Sequence, residues 1–288
     1  MPQYVIITPA RDEEAYIDKT ISAVLRQTVQ PTQWIIVDDG SSDRTGAIID
    51  DWANKCSWMT PVHRSNRGSR QPGGGVIEAF YDGLAEIRPS AAAFAFIVKL
   101  DADVTFDCDY FERCFHEFDH DPGLGIGGGA ICQEVGGRLQ IEPTPMFHVR
   151  GATKIYRRNC WDALGGLVRA PGWDTIDEIK ANMLGWTTRT FKHLRLTQLR
   201  RTGAANGIWC DSVKNGRANY SAGYHPLFML LKCVRRSIVR PYAIRGMGLA
   251  WGYISGYKDN PSRVDDAVIK YVRSQQLRRL LLMESVWK

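Results

Sequence analysis

Two aspartates one residue apart, Asp101 and Asp103, follow the apolar run Phe94-Ala95-Phe96-Ile97-Val98. That run reads as a fully buried strand. In extended chain, residues i and i+2 point to one side, so both carboxylates can face one ligand. Two such neighbours repel unless a cation or a shared proton lies between them. Oxygen-only ligation suits a hard ion, Mg²⁺ or Mn²⁺. Such an ion can hold a diphosphate and neutralise charge on a departing phosphate. A solvated acidic turn is the plainer reading of the same residues, and the elements around them decide between the two.

Other polar residues recur at equivalent places. Tyr4-Val5-Ile6-Ile7-Thr8-Pro9 reads as a first buried strand ended by Pro9. The polar turn Ala10 to Glu14 leads into a helix marked by Ile17, Ile21, Val24 and Leu25 and stopped by Pro31. Trp34-Ile35-Ile36-Val37 is a second strand running into Asp38-Asp39-Gly40-Ser41-Ser42-Asp43. Gly40 permits a tight turn there, and Ser and Asp residues cap a helix from Thr45 to Ala53. Strand and helix alternating in this way predict a parallel, doubly wound sheet. Ligands of such sheets bind beyond the carboxyl ends of the strands, so Thr8, Asp38, Asp39, Asp101 and Asp103 should line one crevice. The segment from Arg64 to Gly75, Arg67 within it, is basic and Gly-rich and precedes a helix near 76–87. It reads either as a loop offering backbone N–H groups and arginines to phosphates or as a plain surface loop. A helix is expected over 109–119. Gly125-Ile126-Gly127-Gly128-Gly129 reads as a strand whose backbone either approaches a sugar or packs closely.

Composition narrows the class. At 288 residues, 44% hydrophobic and 24% charged, the chain has the make-up of a globular protein. Its seven scattered Cys form no Cys-Xaa-Xaa-Cys pair, which speaks against a zinc site or a disulfide framework and suits a reducing cytoplasm. The first residues lack the pattern of a signal peptide, and no apolar run is long enough to span a bilayer. The net charge of +6 hides an asymmetry. Residues 188–288 hold 19 Lys and Arg against 5 Asp and Glu, whereas the first 187 hold 18 against 26. A basic third on an acidic body points to a polyanionic partner.

Val5 to Glu14, Ile36-Val37-Asp38-Asp39-Gly40-Ser41-Ser42-Asp43 and Leu100-Asp101-Ala102-Asp103 together resemble the family 2 inverting glycosyltransferases of GT-A fold. The resemblance implies that Asp39 reads the nucleotide base. It implies that Asp101 and Asp103 bind the metal and the sugar-nucleotide diphosphate, and that Thr8, Pro9 and Glu13 wrap the nucleoside. Asp12 departs from the family's usual Asn, and a carboxylate cannot donate the hydrogen bonds an amide can. The stretches from His148 to Arg158, with Arg150 and Lys154, and Leu164-Gly165-Gly166-Leu167 resemble the acceptor side. In the family an acidic residue starting a helix, a dozen residues before a Gly-aromatic pair, is the catalytic base. Counting back from Gly185-Trp186 places that role on Asp174, with Asp177 as fallback and simple helix capping as the plainer reading. Trp173 stands where the family has Glu. Gln198-Leu199-Arg200-Arg201-Thr202 partly resembles the Gln-Xaa-Xaa-Arg-Trp motif of processive members. Thr202 in place of Trp favours single-sugar addition. His193, Gln198, Arg200 and Arg201 become candidates for a diphosphate of donor or acceptor, or form a solvated basic segment.

The last third mixes apolar and basic residues with aromatic anchors, as in helices lying in a membrane interface. The alternative is helices packed back with basic outer faces. The expected architecture is therefore α/β, a GT-A (Rossmann-like) mixed, mostly parallel sheet flanked by helices, with a C-terminal helical extension. Residues 1–115 would be the nucleotide-sugar half, 116–202 the acceptor-binding and catalytic half, and 203–288 a basic amphipathic extension. The expected activity is metal-dependent, inverting transfer from a nucleotide sugar, UDP-linked because an Asp suits the N3–H of uracil, to a lipid-linked or other saccharide hydroxyl. The place expected is cytoplasmic, peripheral on an anionic membrane surface. A nucleotidyltransferase and a non-catalytic sugar-nucleotide or polysaccharide-binding subunit are the rivals, while nucleic acid is disfavoured for want of a reading motif. Oligomeric state is left open.

Overall fold

Every residue of strand β1 (Tyr4–Ala10) is buried, as expected of a strand covered on both faces. The computed structural model describes residues 2–66, 68, 74–91, 93–135, 138–200, 207–259 and 264–287. β2 (Gln33–Asp38) and β4 (Phe96–Leu100) flank β1 in parallel and are buried throughout, and β3 (Met59–His63) adds outside β2. Pro9 does not end β1, because it still pairs in register with Val37. The full order is β3-β2-β1-β4-β8-β6-β9-β5, with β7 (Arg138–Ile141) on β6 (Leu124–Val135). β8 (Thr153–Arg157) is antiparallel to β4 and β6. β9 (Thr187–Gln198) runs parallel to β6, and the short β5 (Val104–Phe106) antiparallel to β9. This is the mixed α/β sheet expected of a GT-A fold.

The helices on the sheet follow the apolar periodicity. α1 (Ile17–Leu25) buries Ile17, Ile21 and Val24 but stops at Leu25, well before Pro31. α2 (Thr45–Ala53) matches the expected span, and α3 (Gly74–Ala85) starts two residues earlier than expected. α4 (Tyr110–His120) lays Phe111 and Phe115 against Tyr4, with ring centroids 5.2 and 4.9 Å apart. α5 is Arg158–Leu164. The glycines of β6 answer to packing. A Cβ on Gly127 would meet the Phe191 ring, one on Gly128 the Thr153 carbonyl, and one on Gly129 the Leu194 carbonyl. The space beside them is already filled by protein.

Contacts divide the chain into Met1–Leu167 with Gly185–Arg200, which holds the sheet, and Val168–Leu184 with Arg201–Lys288. The second unit is helical: α6 (Trp173–Met183), α7 (Gly207–Ser221), α8 (Pro226–Ser237), α9 (Ile244–Asp259) and α10 (Asp266–Leu280). Residues 168–184 group with the C-terminal helices because Ile176 and Ile179 of α6 share a core with Tyr220, Leu249 and Val272. α7 and α9 approach closely through glycine: a Cβ on Gly252 would strike the Val213 carbonyl. Among the described residues no helix is long and apolar enough to cross a membrane. All seven cysteines are free.

Candidate active site

The turn from β4 into β5 carries Asp101 and Asp103, and α1 fixes it from below. The buried Thr20 hydroxyl lies 2.8 Å from the Ala102 carbonyl and 2.9 Å from that of Val104, and it accepts from the Val104 amide at 3.0 Å. The Asp101 amide donates to the Ala152 carbonyl at 2.9 Å. Behind the turn, Lys99 is almost fully buried and donates from Nζ to the Asp101 carboxylate and, at 2.7 Å, to the Gly151 carbonyl. Lys154, equally buried, stands opposite Lys99 in the antiparallel β4–β8 pair, and such partners share a face.

Asp103 is buried, and burial together with the Asp101 charge pushes its carboxyl up to about 6. Gln198 Nε2 lies 3.4 Å from its Oδ2, and the Leu199 amide donates to its carbonyl at 2.8 Å. One residue beyond Leu199, Arg200 Nη2 donates to Glu13 Oε2 at 2.8 Å and to the Asp12 carbonyl at 2.9 Å. The end of β9 thereby ties the aspartate turn to the first loop.

That first loop is in turn bonded to the loop after β2. Asp12 adopts a left-handed φ of 53° and accepts from the Ser42 amide at 2.8 Å, which is an acceptor's role. The Glu13 amide donates to Thr45 Oγ1 at 2.8 Å. The Asp39 amide donates to the Ala10 carbonyl at 2.8 Å. Asp39 Oδ1 accepts from Arg64 Nη1 at 2.5 Å, and Arg11 Nη1 donates to the Asp39 carbonyl at 3.0 Å. Arg64 also reaches Asp82 from Nε at 2.6 Å. Gly40 has φ +72°, and a Cβ there would lie 2.5 Å from Asn66 Cα, so only glycine suits this turn.

The first unit thus gathers Glu13, Asp39, Asp101, Asp103, Gln198 and Arg200 at neighbouring strand ends. Thr8 and Pro9 are buried in β1, and the Thr8 hydroxyl accepts from Trp34 Nε1 at 2.9 Å. Arg150 is paired with Glu142 Oε2 at 3.1 Å. His193 sits in an irregular stretch of β9, its Nε2 3.2 Å from Glu117 Oε1 of α4. Arg67 and Arg201 lie outside the described residues. Asp174 belongs to the second unit, in the first turn of α6 behind Gly172 with φ 83°. Asp177 is buried, and its Oδ1 accepts from the Glu178 amide at 2.7 Å. Thr20 and Lys99 escaped sequence reasoning. A polar residue inside an apolar helix and a lysine inside a buried strand were the signals available.

Among the described residues no group of three or more His, Cys, Asp and Glu is placed to hold a metal, and the candidate ligands are the pair Asp101 and Asp103. A pair of this kind fits Mg²⁺ or Mn²⁺, ions commonly held by one or two carboxylates plus substrate phosphates. The raised carboxyl of Asp103 fits as well, since a cation relieves the repulsion from Asp101.

Comparison with known proteins speaks to the family and the fold. The family described as glycosyl transferase family 2 matches residues 5–169. The chain is 30% identical over 118 residues to the poly-beta-1,6-N-acetyl-D-glucosamine synthase of Staphylococcus aureus, over 41% of this chain and 26% of that protein. The chain spans less than two fifths of the length of the first curated relatives it matches. Among solved structures, S. aureus TarS 1-349 in complex with UDP-GlcNAc aligns with TM-score 0.56 and 17% identity, covering 89% of this chain and 73% of that one. The mannosyltransferase PcManGT from Pyrobaculum calidifontis, in complex with GDP-Man and Mn2+, aligns with TM-score 0.58 and 15% identity, covering 96% and 81%. Identities this low speak for the fold alone.

Proposed function

The chain belongs to glycosyl transferase family 2, and on that premise we propose that it transfers one sugar, with inversion, from a UDP-linked donor to a hydroxyl of a polyprenyl-diphosphate-linked acceptor in polysaccharide synthesis. The observation that carries this reading is the carboxylate pair of half-buried Asp101 and buried Asp103, on a turn fixed by Thr20 and joined through Arg200 to the loop that reaches Asp39.

Asp39 accepts from the N3–H of uracil, and Arg64 holds its carboxylate in place. Asp101 and Asp103 would hold Mg²⁺ or Mn²⁺, and such an ion would supply positive charge to offset that of the departing diphosphate. Arg200 closes the first loop over the donor through Glu13. Asp174 takes the proton of the acceptor hydroxyl. The freed oxygen forms its bond to the anomeric carbon from the face opposite UDP. The anomeric C–O bond breaks, and its electron pair leaves on the diphosphate. Thr202, where processive relatives carry Trp, favours release after one addition.

The test is a product assay with UDP-sugars, a divalent ion and a polyprenyl-diphosphate sugar. Release of UDP with transfer supports the reading, and release of pyrophosphate would assign a nucleotidyltransferase instead. Asp174→Asn should remove turnover while donor still binds. Near-normal turnover of that variant would move the base elsewhere.

A further inference from the structure

α8 carries its apolar stripe on the wrong side for a core helix. Leu227, Leu230, Leu231, Val234 and Ile238 recur at the three- and four-residue spacing of one helical face. That face points to solvent: Leu230 is 60% exposed, Val234 56% and Ile238 70%. The opposite side does the packing, with Met229 buried and Phe228 and Cys233 against the helical core. α9, packed on α8, repeats the arrangement. Its inner face is Leu249, Tyr253 and closely approached glycines, while Ile244, Met247, Trp251 and Ile254 face outward, Trp251 at 59% exposure. The turn joining the two helices exposes Val239 and Tyr242.

Charge decides what covers this face. Residues 226–258 contain six Lys and Arg and no Asp or Glu. Arg235 lies beside the α8 stripe, Arg240 in the exposed turn and Lys258 at the end of the α9 stripe. Pairing two copies of this surface would bring like charges together. An anionic bilayer would bury the apolar stripes and pair the basic residues at once. With 12 and 16 residues, α8 and α9 are too short to span the hydrocarbon core. We propose that the α8–α9 hairpin lies in the plane of an anionic membrane surface, with Leu230, Val234 and Trp251 in the acyl boundary and Arg235, Arg240 and Lys258 among the headgroups. α10 buries Val268 and Val272 in the helical core.

The proposal deepens the lipid-linked acceptor reading and takes its purpose from it, but its test uses neither donor nor acceptor. Flotation of the full chain with phosphatidylcholine vesicles, with and without phosphatidylglycerol, is the experiment. Binding is expected with phosphatidylglycerol, falling as salt rises. Leu230→Glu with Val234→Glu should weaken it by about tenfold or more. Leu139→Glu, an exposed position on β7, should not. Arg235→Glu with Arg240→Glu gives a second variant that leaves the apolar face intact and should also weaken binding. Brominated lipid should quench tryptophan emission, and Trp251→Phe should lose most of that quenching. The proposal is overturned if the parent ignores anionic vesicles, if both double variants bind as the parent does, or if the parent is a dimer that the Leu230 and Val234 changes split. A chain that floats as expected yet transfers sugar only to water-soluble acceptors supports this inference and removes the acceptor reading instead.

Discussion

Arg200 Nη2 donates to Glu13 Oε2 at 2.8 Å, joining the end of the last sheet strand to the loop after the first. The same nitrogen donates to the Asp12 carbonyl at 2.9 Å, and the guanidinium lies 5.4 Å from the Tyr16 ring centre. Glu13 is buried, where a carboxylate needs partners, and Arg200 supplies one.

Arg200→Ala should therefore lower kcat/KM by about tenfold or more, since charge-assisted pairs position loops more than they stabilise folds. Arg200→Lys should recover little, because a single ammonium does not reproduce the planar fork. Steady-state kinetics beside a thermal melt would check both. A large loss of melting temperature with unchanged kinetics would count against the positioning role.

Thr20→Val keeps the shape of a fully buried side chain and removes its hydroxyl. It withdraws the hydroxyl from the Ala102 and Val104 carbonyls and from the Val104 amide. Urea denaturation should show a loss of about 1–3 kcal/mol. Activity should fall further than that loss alone implies, because the backbone between the two aspartates is no longer pinned.

Burial beside Asp101 makes ionised Asp103 costly to the fold. Its carboxyl is raised to about 6 by burial and by the Asp101 charge, against about 3.9 in an unfolded chain. The native state then holds this proton more tightly than the unfolded state. The penalty of ionised Asp103 is fully present above about pH 6 and is relieved as pH falls from there toward about 4. Asp103→Asn should stabilise the metal-free protein at neutral pH by on the order of 1–3 kcal/mol and abolish turnover. Urea midpoints across that pH range would show the gain shrinking as the pH drops.

The sheet was largely legible because β1, β2 and β4 are apolar on both faces, and apolar runs that end in acidic turns mark strand ends whatever their partners. α2 was legible from its Ser- and Asp-rich lead-in, where Asp43 Oδ1 accepts from the Thr45 amide at 2.9 Å, and the helix expected over 109–119 lies one residue further on, at Tyr110–His120. What the sequence concealed were long-range pairings. Thr20 reads as an ordinary interruption of an apolar helix until the turn 82 residues away is placed beside it. Arg64 reads as one arginine of a basic loop, yet it grips Asp39. His193 reads either as a diphosphate contact or as part of a solvated basic segment, and its pairing with Glu117 across a bulge of β9 could not be foreseen. The glycines of β6 admitted two explanations, and only the positions of Phe191, Thr153 and Leu194 favour packing. Periodicity found the stripe of α8 but could not tell which way it faces, because an apolar face looks the same whether a core or a bilayer covers it.

The most direct measurement is calorimetric titration of a UDP-sugar into the protein with Mn²⁺, with a chelator in place of Mn²⁺, and into Asp101→Asn with Asp103→Asn. Affinity should fall by about a hundredfold, roughly 2.7 kcal/mol, when either the ion or the carboxylates are removed. Equal binding in all three titrations would contradict a donor site built on these two aspartates.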